Sequence, residues 1–276
     1  LGNYQKAITS LKQALKINPE DEEVMVILGQ IYINLEDYEK ALTVYEDLLK
    51  SNEDKKQYYK VLGSILMHQK KWDEAIEIYK KANTLDEDDM GIINNTALCY
   101  SKLDKYNTAV KILKYILTKD PDDYEVLANL GSIYMKKGSF HDALECYSRI
   151  HENHPKDERV LMAMGVIYDN LGKNEKAIRS FKSILETDPN NVTAMYYLAN
   201  LYMYEDVVDN AIELYDKILE LYPEYIEAKI NKGLCYLKRK DYDTALKIFE
   251  EVLETDPDNK VAEENREFIL NITSGE

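Results

Sequence analysis

The sequence predicts an all-α solenoid, a stack of antiparallel helix pairs, and three observations carry that prediction. Alanine recurs at Ala7, Ala41, Ala75, Ala109, Ala143, Ala177, Ala211 and Ala245, an unbroken interval of 34 residues. A small residue keeps the same interval at Gly29, Gly63, Ala97, Gly131, Gly165, Ala199 and Gly233, and a large one follows at Tyr32, Leu66, Tyr100, Tyr134, Tyr168, Tyr202 and Tyr236. All six prolines fall on a further ladder, Pro19, Pro121, Pro155, Pro189, Pro223 and Pro257. Strict self-similarity at this period means one helix–turn–helix unit stacked on copies of itself.

The elements follow in order. Residues 1–21 read as the second helix of a truncated repeat, because Leu1-Gly2-Asn3-Tyr4 aligns with the intra-repeat turn Leu35-Glu36-Asp37-Tyr38. Full repeats are expected at 22–55, 56–89, 90–123, 124–157, 158–191, 192–225 and 226–259. Within 124–157, Leu127, Leu130, Ile133 and Tyr134 share one side of a first helix, and Gly138-Ser139 interrupts it. A second helix then runs from Phe140 with Ala143, Leu144, Tyr147 and Ile150 inward, and Pro155 ends it. Residues 260–272 read as a capping helix with charges on its outer side. Glu53 and Glu87 stand where other junctions have Pro, so the junctions flanking 56–89 are expected to be less rigid, and Lys229 and Lys232 replace apolar slots in the last repeat.

Each slot has a physical reason. The small residues let two antiparallel helices touch, and the large ones fill the wedge toward the next repeat. Of 23 tyrosines, the six of the ladder, Tyr45, Tyr79, Tyr147 and Tyr215, and Tyr4, Tyr38, Tyr106 and Tyr242 occupy three repeated slots, so the aromatic content is expected to be core rather than a ligand box. Acids gather at inter-repeat turns (Glu20 to Glu23, Asp86 to Asp89, Asp120 with Asp122 and Asp123), where they cap the next first helix and complement its positive end. They lack the alternating ligands, central Gly and distal Glu of a calcium loop.

Composition narrows the function. A net charge of −16 argues against nucleic-acid binding and against docking on anionic lipid. No apolar run approaches the roughly 18 residues of a membrane span, and no signal-like segment opens the chain. Three cysteines, with no C-x-x-C pair, suit a reducing, cytoplasmic setting, and the sequons at Asn94, Asn191 and Asn271 are then incidental. His151-x-x-His154 has no third ligand at sensible spacing, so no metal is expected. No phosphate loop, nucleophile elbow or Cys/His dyad occurs, and neither enzymatic activity nor a cofactor is expected.

The ladders, with Met25-Leu28-Gly29-Tyr32 and Leu127-Leu130-Gly131-Tyr134, closely resemble the tetratricopeptide repeat pattern over nearly the whole chain. That resemblance implies a right-handed superhelix whose concave groove, lined by first helices, binds peptide segments or protein surfaces. Carried onto this sequence, the family's groove slots include Lys60, Met67, Lys102, Met135 and Lys136 in the earlier repeats. In the later ones they include Arg159, Met162, Val166, Tyr196, Asn200, Met203, Tyr204, Ile230, Leu234, Leu237 and Lys238. Asn95 and Asn129 lie beside them on the slot of an asparagine ladder, which Ile27, Val61, Ala163 and Tyr197 interrupt. The chaperone-tail carboxylate clamp is not matched, because Ser64, Glu125 and Asn129 fill places that need other residues.

The groove set is nearly neutral, with Glu23, Glu125, Asp169 and Glu227 against Lys60, Lys102, Lys136, Arg159 and Lys238, so the acidity belongs to the turns and convex face. Apolar groove residues concentrate toward the C-terminal half, as suits helix-in-groove recognition. The expectation is a non-enzymatic protein-interaction scaffold or adaptor that binds a peptide segment or protein surface. Alternatives are the recognition arm of a larger enzyme, and a scaffold that self-associates end to end through the open N-terminal helix.

Overall fold

The computed structural model describes residues 2–85 and 88–274. These form α1 (Gly2–Ile17), α2 (Glu22–Asn34), α3 (Tyr38–Ser51), α4 (Lys56–His68), α5 (Trp72–Leu85), α6 (Met90–Lys102), α7 (Tyr106–Leu117) and α8 (Tyr124–Lys136). They continue as α9 (Phe140–Asn153), α10 (Glu158–Asn170), α11 (Asn174–Thr187), α12 (Val192–Tyr204), α13 (Val208–Leu221), α14 (Ile226–Lys238), α15 (Tyr242–Thr255) and α16 (Lys260–Ser274). The described residues contain no strand. The chain divides into two compact units, Leu1–Cys146 and Tyr147–Glu276. In each, a first helix packs on the second helix that follows it, and that second helix on the next first helix: α2 on α3 and α3 on α4, α12 on α13 and α13 on α14.

The small-residue ladder is explained by what it faces. A Cβ added to Gly63 would lie 2.5 Å from the Tyr79 ring, and one added to Gly165 would lie 2.6 Å from Phe181. A ring at one slot of the second helix therefore favours a bare backbone at the matching slot of the first. The third repeat relaxes both sides, with Ala97 against the smaller Leu113, and both are wholly buried. The sixth keeps Ala199 opposite Tyr215, also wholly buried, so the exchange is not strict.

First helices start where a side chain caps them. The Asp21, Asp89, Asp123 and Asp157 carboxylates and the Asn191 amide oxygen accept from the backbone N–H three residues on. This is the expected role for the acidic junctions. Lys55 and Tyr225 occupy the same place without a side-chain cap. Glu87 lies outside the described residues, and the Glu53 junction is a turn.

First helices also end alike. The carbonyls of Tyr32, Leu66, Tyr100, Tyr134, Tyr168, Tyr202 and Tyr236 each accept from the N–H five residues on, at 2.8 to 3.0 Å. This closure needs a left-handed residue between. Gly138 and Gly172 supply it freely, whereas Glu36, Lys70, Asp104, Asp206 and Lys240 adopt positive φ as non-glycine residues. The sequence pattern marked only Gly138 as a break; Gly172 carries the same glycine signal, whereas Glu36, Lys70 and Lys240 carry residues with no left-handed preference.

Ladder tyrosines expose one edge, and lysines cover it. Lys12 lies 5.9 Å from the Tyr32 ring centre, Lys114 5.8 Å from Tyr134 and Lys182 5.6 Å from Tyr202, each lysine 20 positions before its ring. The long apolar stems pack on the ring while the charge stays in water.

Candidate functional site

In the unit Leu1–Cys146, the first-helix face is held by polar bonds. Lys60 Nζ and Lys56 Nζ each lie 3.1 Å from Asp89 Oδ2. Burial works to raise the Asp89 carboxyl, but the hydrogen bonds from Lys56, from the Ile92 N–H and from Lys60 outweigh it and hold the group below the usual carboxylate range. Asn94 is buried, donating to Glu125 Oε1 at 2.9 Å and accepting from Asn129 Nδ2 at 3.1 Å. Asn95 Nδ2 donates to Tyr79 Oη at 3.4 Å, and the Tyr79 hydroxyl donates to Met67 Sδ at 3.3 Å. Lys102 is exposed, with its ammonium 5.9 Å from the Trp72 ring centre. Met135 is half-buried and Lys136 exposed.

These bonds reassign several residues. Lys60 is already paired, and Asn129 spends a donor on Asn94, so neither is poised for a ligand carboxylate. Asn94 is too enclosed to be a glycosylation acceptor. At the other end of the same unit, Glu22 accepts from both Lys55 and Tyr58. Desolvation and that bond push the Tyr58 phenol up to about 12.

Beside this pair lies a cavity of about 570 Å³ lined by Val26, Ile27 and Val61 with Glu23, Gln30 and Gln57. Ile27 is half exposed at 51%. Ile27 and Val61 occupy the asparagine-ladder slot. Their apolar character was legible in the sequence as an apolar pair, not merely as interruptions.

In the unit Tyr147–Glu276, rings replace the polar bonds. Tyr197 stacks on Phe181 with centroids 5.3 Å apart, and Tyr196 stacks on Tyr225 at 5.5 Å while meeting Tyr197 and Tyr215 edge-on. Asn231 donates to Tyr196 Oη at 3.2 Å and to Asn200 Oδ1 at 2.9 Å, and Asn200 also accepts from the Tyr215 hydroxyl. Tyr196 is thus a half-buried member of a cluster.

Met162 and Val166 pack beside Phe181 and Leu198, and Met203 beside Met195 and Tyr215. Ile230, Leu234 and Leu237 lean on Phe249 and Val252. Lys238 Nζ donates to the Met203 carbonyl at 2.7 Å and pairs with Asp206 at 2.9 Å. Arg159 is exposed and lies 4.0 Å from Asp157. Tyr204, the last residue of α12, is 78% exposed. Leu221 and Tyr222, which the groove slots do not include, are exposed beside an apolar cavity of about 520 Å³ with Val192, Pro223 and Tyr225.

The thiols lie in the packed interior. Cys99, Cys146 and Cys235 are buried and form no disulfide, and burial raises the Cys99 and Cys235 thiols to about 11. Among the described residues no group of three or more His, Cys, Asp or Glu could hold a metal ion. No helix among them is long and apolar enough to cross a membrane.

Comparison with known proteins places this arrangement. Family models described as tetratricopeptide repeat match residues 1–65, 102–167 and 208–263, and a related one matches 162–226. A model described as intraflagellar transport protein 56 matches 53–132. No curated protein matches the chain.

Among solved structures, the C-terminal part of a repeat-containing protein from Cytophaga hutchinsonii is 18% identical, with TM-score 0.73, over 86% of this chain and 97% of that one. A repeat protein from Parabacteroides merdae is 18% identical, with TM-score 0.66, over 91% of this chain and 99% of that one. The hetero-tetramer Cut9-Hcn1 of the APC/C contains a chain 18% identical, with TM-score 0.61, over 97% of this chain and 52% of that one. At these identities the likeness is one of fold.

Proposed function

Because the chain belongs to the tetratricopeptide repeat family, a family of protein-interaction scaffolds, we propose that it is a non-enzymatic, cofactor-free adaptor. In this reading it binds a peptide segment or protein surface on the first-helix face of its second unit. The carrying observation is Tyr204, an aromatic side chain left 78% exposed on the face where its neighbours are half-buried. Exposed aromatics flanked by packed apolar residues are the usual anchors of a protein interface. Met162, Val166, Met203 and Leu237 supply adaptable apolar surface on the same helices, and Lys238 and Arg159 the charged rim. Three buried cysteines that form no disulfide suit a cytoplasmic setting. A second reading rests on the first unit, where Val26, Ile27 and Val61 line a cavity open to a smaller apolar anchor.

The test compares capture of polypeptides from source lysate by the native chain, by Tyr204→Glu and by Ile27→Glu. Tyr204→Glu should leave helicity unchanged, since the ring is exposed, whereas substituting Tyr196 would break the ring cluster. A polypeptide retained by the native chain and lost only with Tyr204→Glu supports the first reading. Loss only with Ile27→Glu moves the site to the first unit. Retention by both variants removes both faces from the function and favours the chain ends or a recognition role for an attached catalytic domain.

A further inference from the structure

Two second-helix slots, one apolar in every other full repeat and one apolar in all but one, turn polar where they meet in the second unit. Ser180 stands where the other full repeats carry Val44, Ile78, Ile112, Cys146, Leu214 and Ile248. His151 stands where five of the other six carry leucine, at Leu49, Leu117, Leu185, Leu219 and Leu253. Between them lies a cavity of about 450 Å³ that also takes in Lys176, Arg179 and Ser183 over an apolar floor of Leu161 and Met164. None of its lining residues is acidic, in a chain of net charge −16.

The polar groups there are poised rather than spent. His151 Nδ1 is buried with no hydrogen-bond partner among the described residues. Arg179 uses Nε on the Glu175 carbonyl at 3.3 Å, which holds the stem and leaves its terminal nitrogens. The Lys176 ammonium sits 5.5 Å from the Tyr168 ring centre, and neither cation is in an ion pair among the described residues. Ser180 Oγ donates to the Lys176 carbonyl at 3.1 Å, which fixes the turn of helix carrying both cations.

The first unit contains the corresponding cavity two repeats earlier, and it differs where the argument needs it to. There Asn83, Thr108, Lys111, Ile112 and Tyr115 line about 600 Å³. Asn83 Oδ1 is likewise buried and unpartnered. Yet only one cation faces that space, and Ile112 and Tyr115 stand in place of the two serines. The paired cations and hydroxyls are therefore particular to the second unit and not a by-product of the repeat.

We propose that the cavity lined by His151, Lys176, Arg179, Ser180 and Ser183 is a binding site for a phosphomonoester carried on an apolar stem. Lys176 and Arg179 hold the charge, Ser183 and His151 offer further hydrogen bonds, and Leu161 and Met164 receive the stem. Charge-assisted bonds to phosphate oxygens are the strong ones, and a fork from Arg suits a tetrahedral anion. The polar groups lie on the second helices α9 and α11, and the floor residues Leu161 and Met164 of α10 are not among those of the face proposed above, so the two sites are separate. A free small molecule and a phosphorylated tyrosine of a partner present the same chemistry.

Calorimetric titration of the full chain at low salt tests this with phenyl phosphate, inorganic phosphate and a short phosphotyrosyl peptide. The native chain should bind phenyl phosphate saturably and more tightly than inorganic phosphate. Lys176→Ala/Arg179→Ala should weaken it by roughly tenfold or more. Lys217→Ala/Lys247→Ala removes the same charge outside the lining and should leave binding unchanged. A peptide bound more tightly than phenyl phosphate assigns the source to a protein, and the reverse order assigns it to a small molecule. No saturable binding, preference for inorganic phosphate, or equal loss in both double variants would overturn the proposal.

Discussion

The two units solve the same packing problem with different chemistry on their first-helix faces. In Leu1–Cys146 the inner face is tied by charges and amides, Lys56 and Lys60 on Asp89, and Asn94 between Glu125 and Asn129. In Tyr147–Glu276 the corresponding positions are tied by rings, Tyr197 on Phe181 and Tyr196 on Tyr225. Beneath both faces the framework is unchanged, with a bare or small residue in the first helix against a large one in the second. The period thus dictates how helices pair, while the face slots are free to diverge. The polar face has little donor capacity left for a ligand, whereas the ring face leaves Tyr204 in water.

Removing the framework ring should have the largest effect. Phe181→Ala takes a wholly buried ring from beneath Gly165 and from its stack on Tyr197. We expect a loss of about 3–5 kcal/mol. Because each repeat contacts only its neighbours, amide exchange should rise in α10 to α12 and stay low in α4 and α5. Equal loss of protection in both units would mean that they unfold as one, and the contrast drawn above would be energetically irrelevant.

On the polar face, Asn94→Leu leaves the Asn129 amide and the Glu125 carboxylate without their shared partner, at a cost of about 1–3 kcal/mol. The denaturation midpoint reads it. A shift within error would mean that water replaces both bonds and that the polar face contributes nothing.

Asp89 sharpens the comparison through pH. Its folded-state carboxyl is held low, so its stabilising contribution is present above the ordinary carboxylate value near ~4 and is lost as pH falls through the folded value. Asp89→Asn keeps an N-cap acceptor but removes the charge. At pH 7 the variant should be less stable by ~1 kcal/mol, given half-exposed lysine partners. Between pH 5 and the acid limit its stability should fall less steeply than that of the native chain, by about that amount. Parallel profiles would show that the Asp89 pairs are fully screened.

The framework was legible in the sequence because it repeats: a slot filled the same way seven times exposes its own steric rule, as Gly165 with Phe181 does. Capping was legible for the same reason at Asp21, Asp89 and Asp123, while the Asp157 cap emerged only from the structure. The face slots were legible by position but not by partner. Asn94 reads as an incidental sequon, and only the distances to Glu125 and Asn129 reveal it as buried wiring. Tyr196 reads as a free anchor until its stack on Tyr225 is seen. Such contacts join residues about one repeat apart, where helical periodicity says which face a side chain takes and nothing about what it meets. Ile27 and Val61 were visible as an apolar pair, but the asparagine-ladder slot drew attention to the residues they were not.

The smallest expected effects lie in the seven intra-repeat turns, which both units build with the same left-handed residue. Gly172 adopts it at φ 65°, and Lys70 adopts it at φ 60°. A side chain in that conformation costs roughly 1–2 kcal/mol, while glycine gives back part of this through the entropy of the unfolded chain. Gly172→Ala should therefore lower stability by about 1 kcal/mol, and Lys70→Gly should raise it by roughly 0.5 kcal/mol. Asp104→Gly should gain less than Lys70→Gly, because a short polar side chain tolerates the left-handed region. Paired denaturation midpoints would decide this. If Lys70→Gly is destabilising, its aliphatic stem must contribute more by packing than its backbone loses by strain, and the turn of the first unit would not be equivalent to the Gly172 turn of the second.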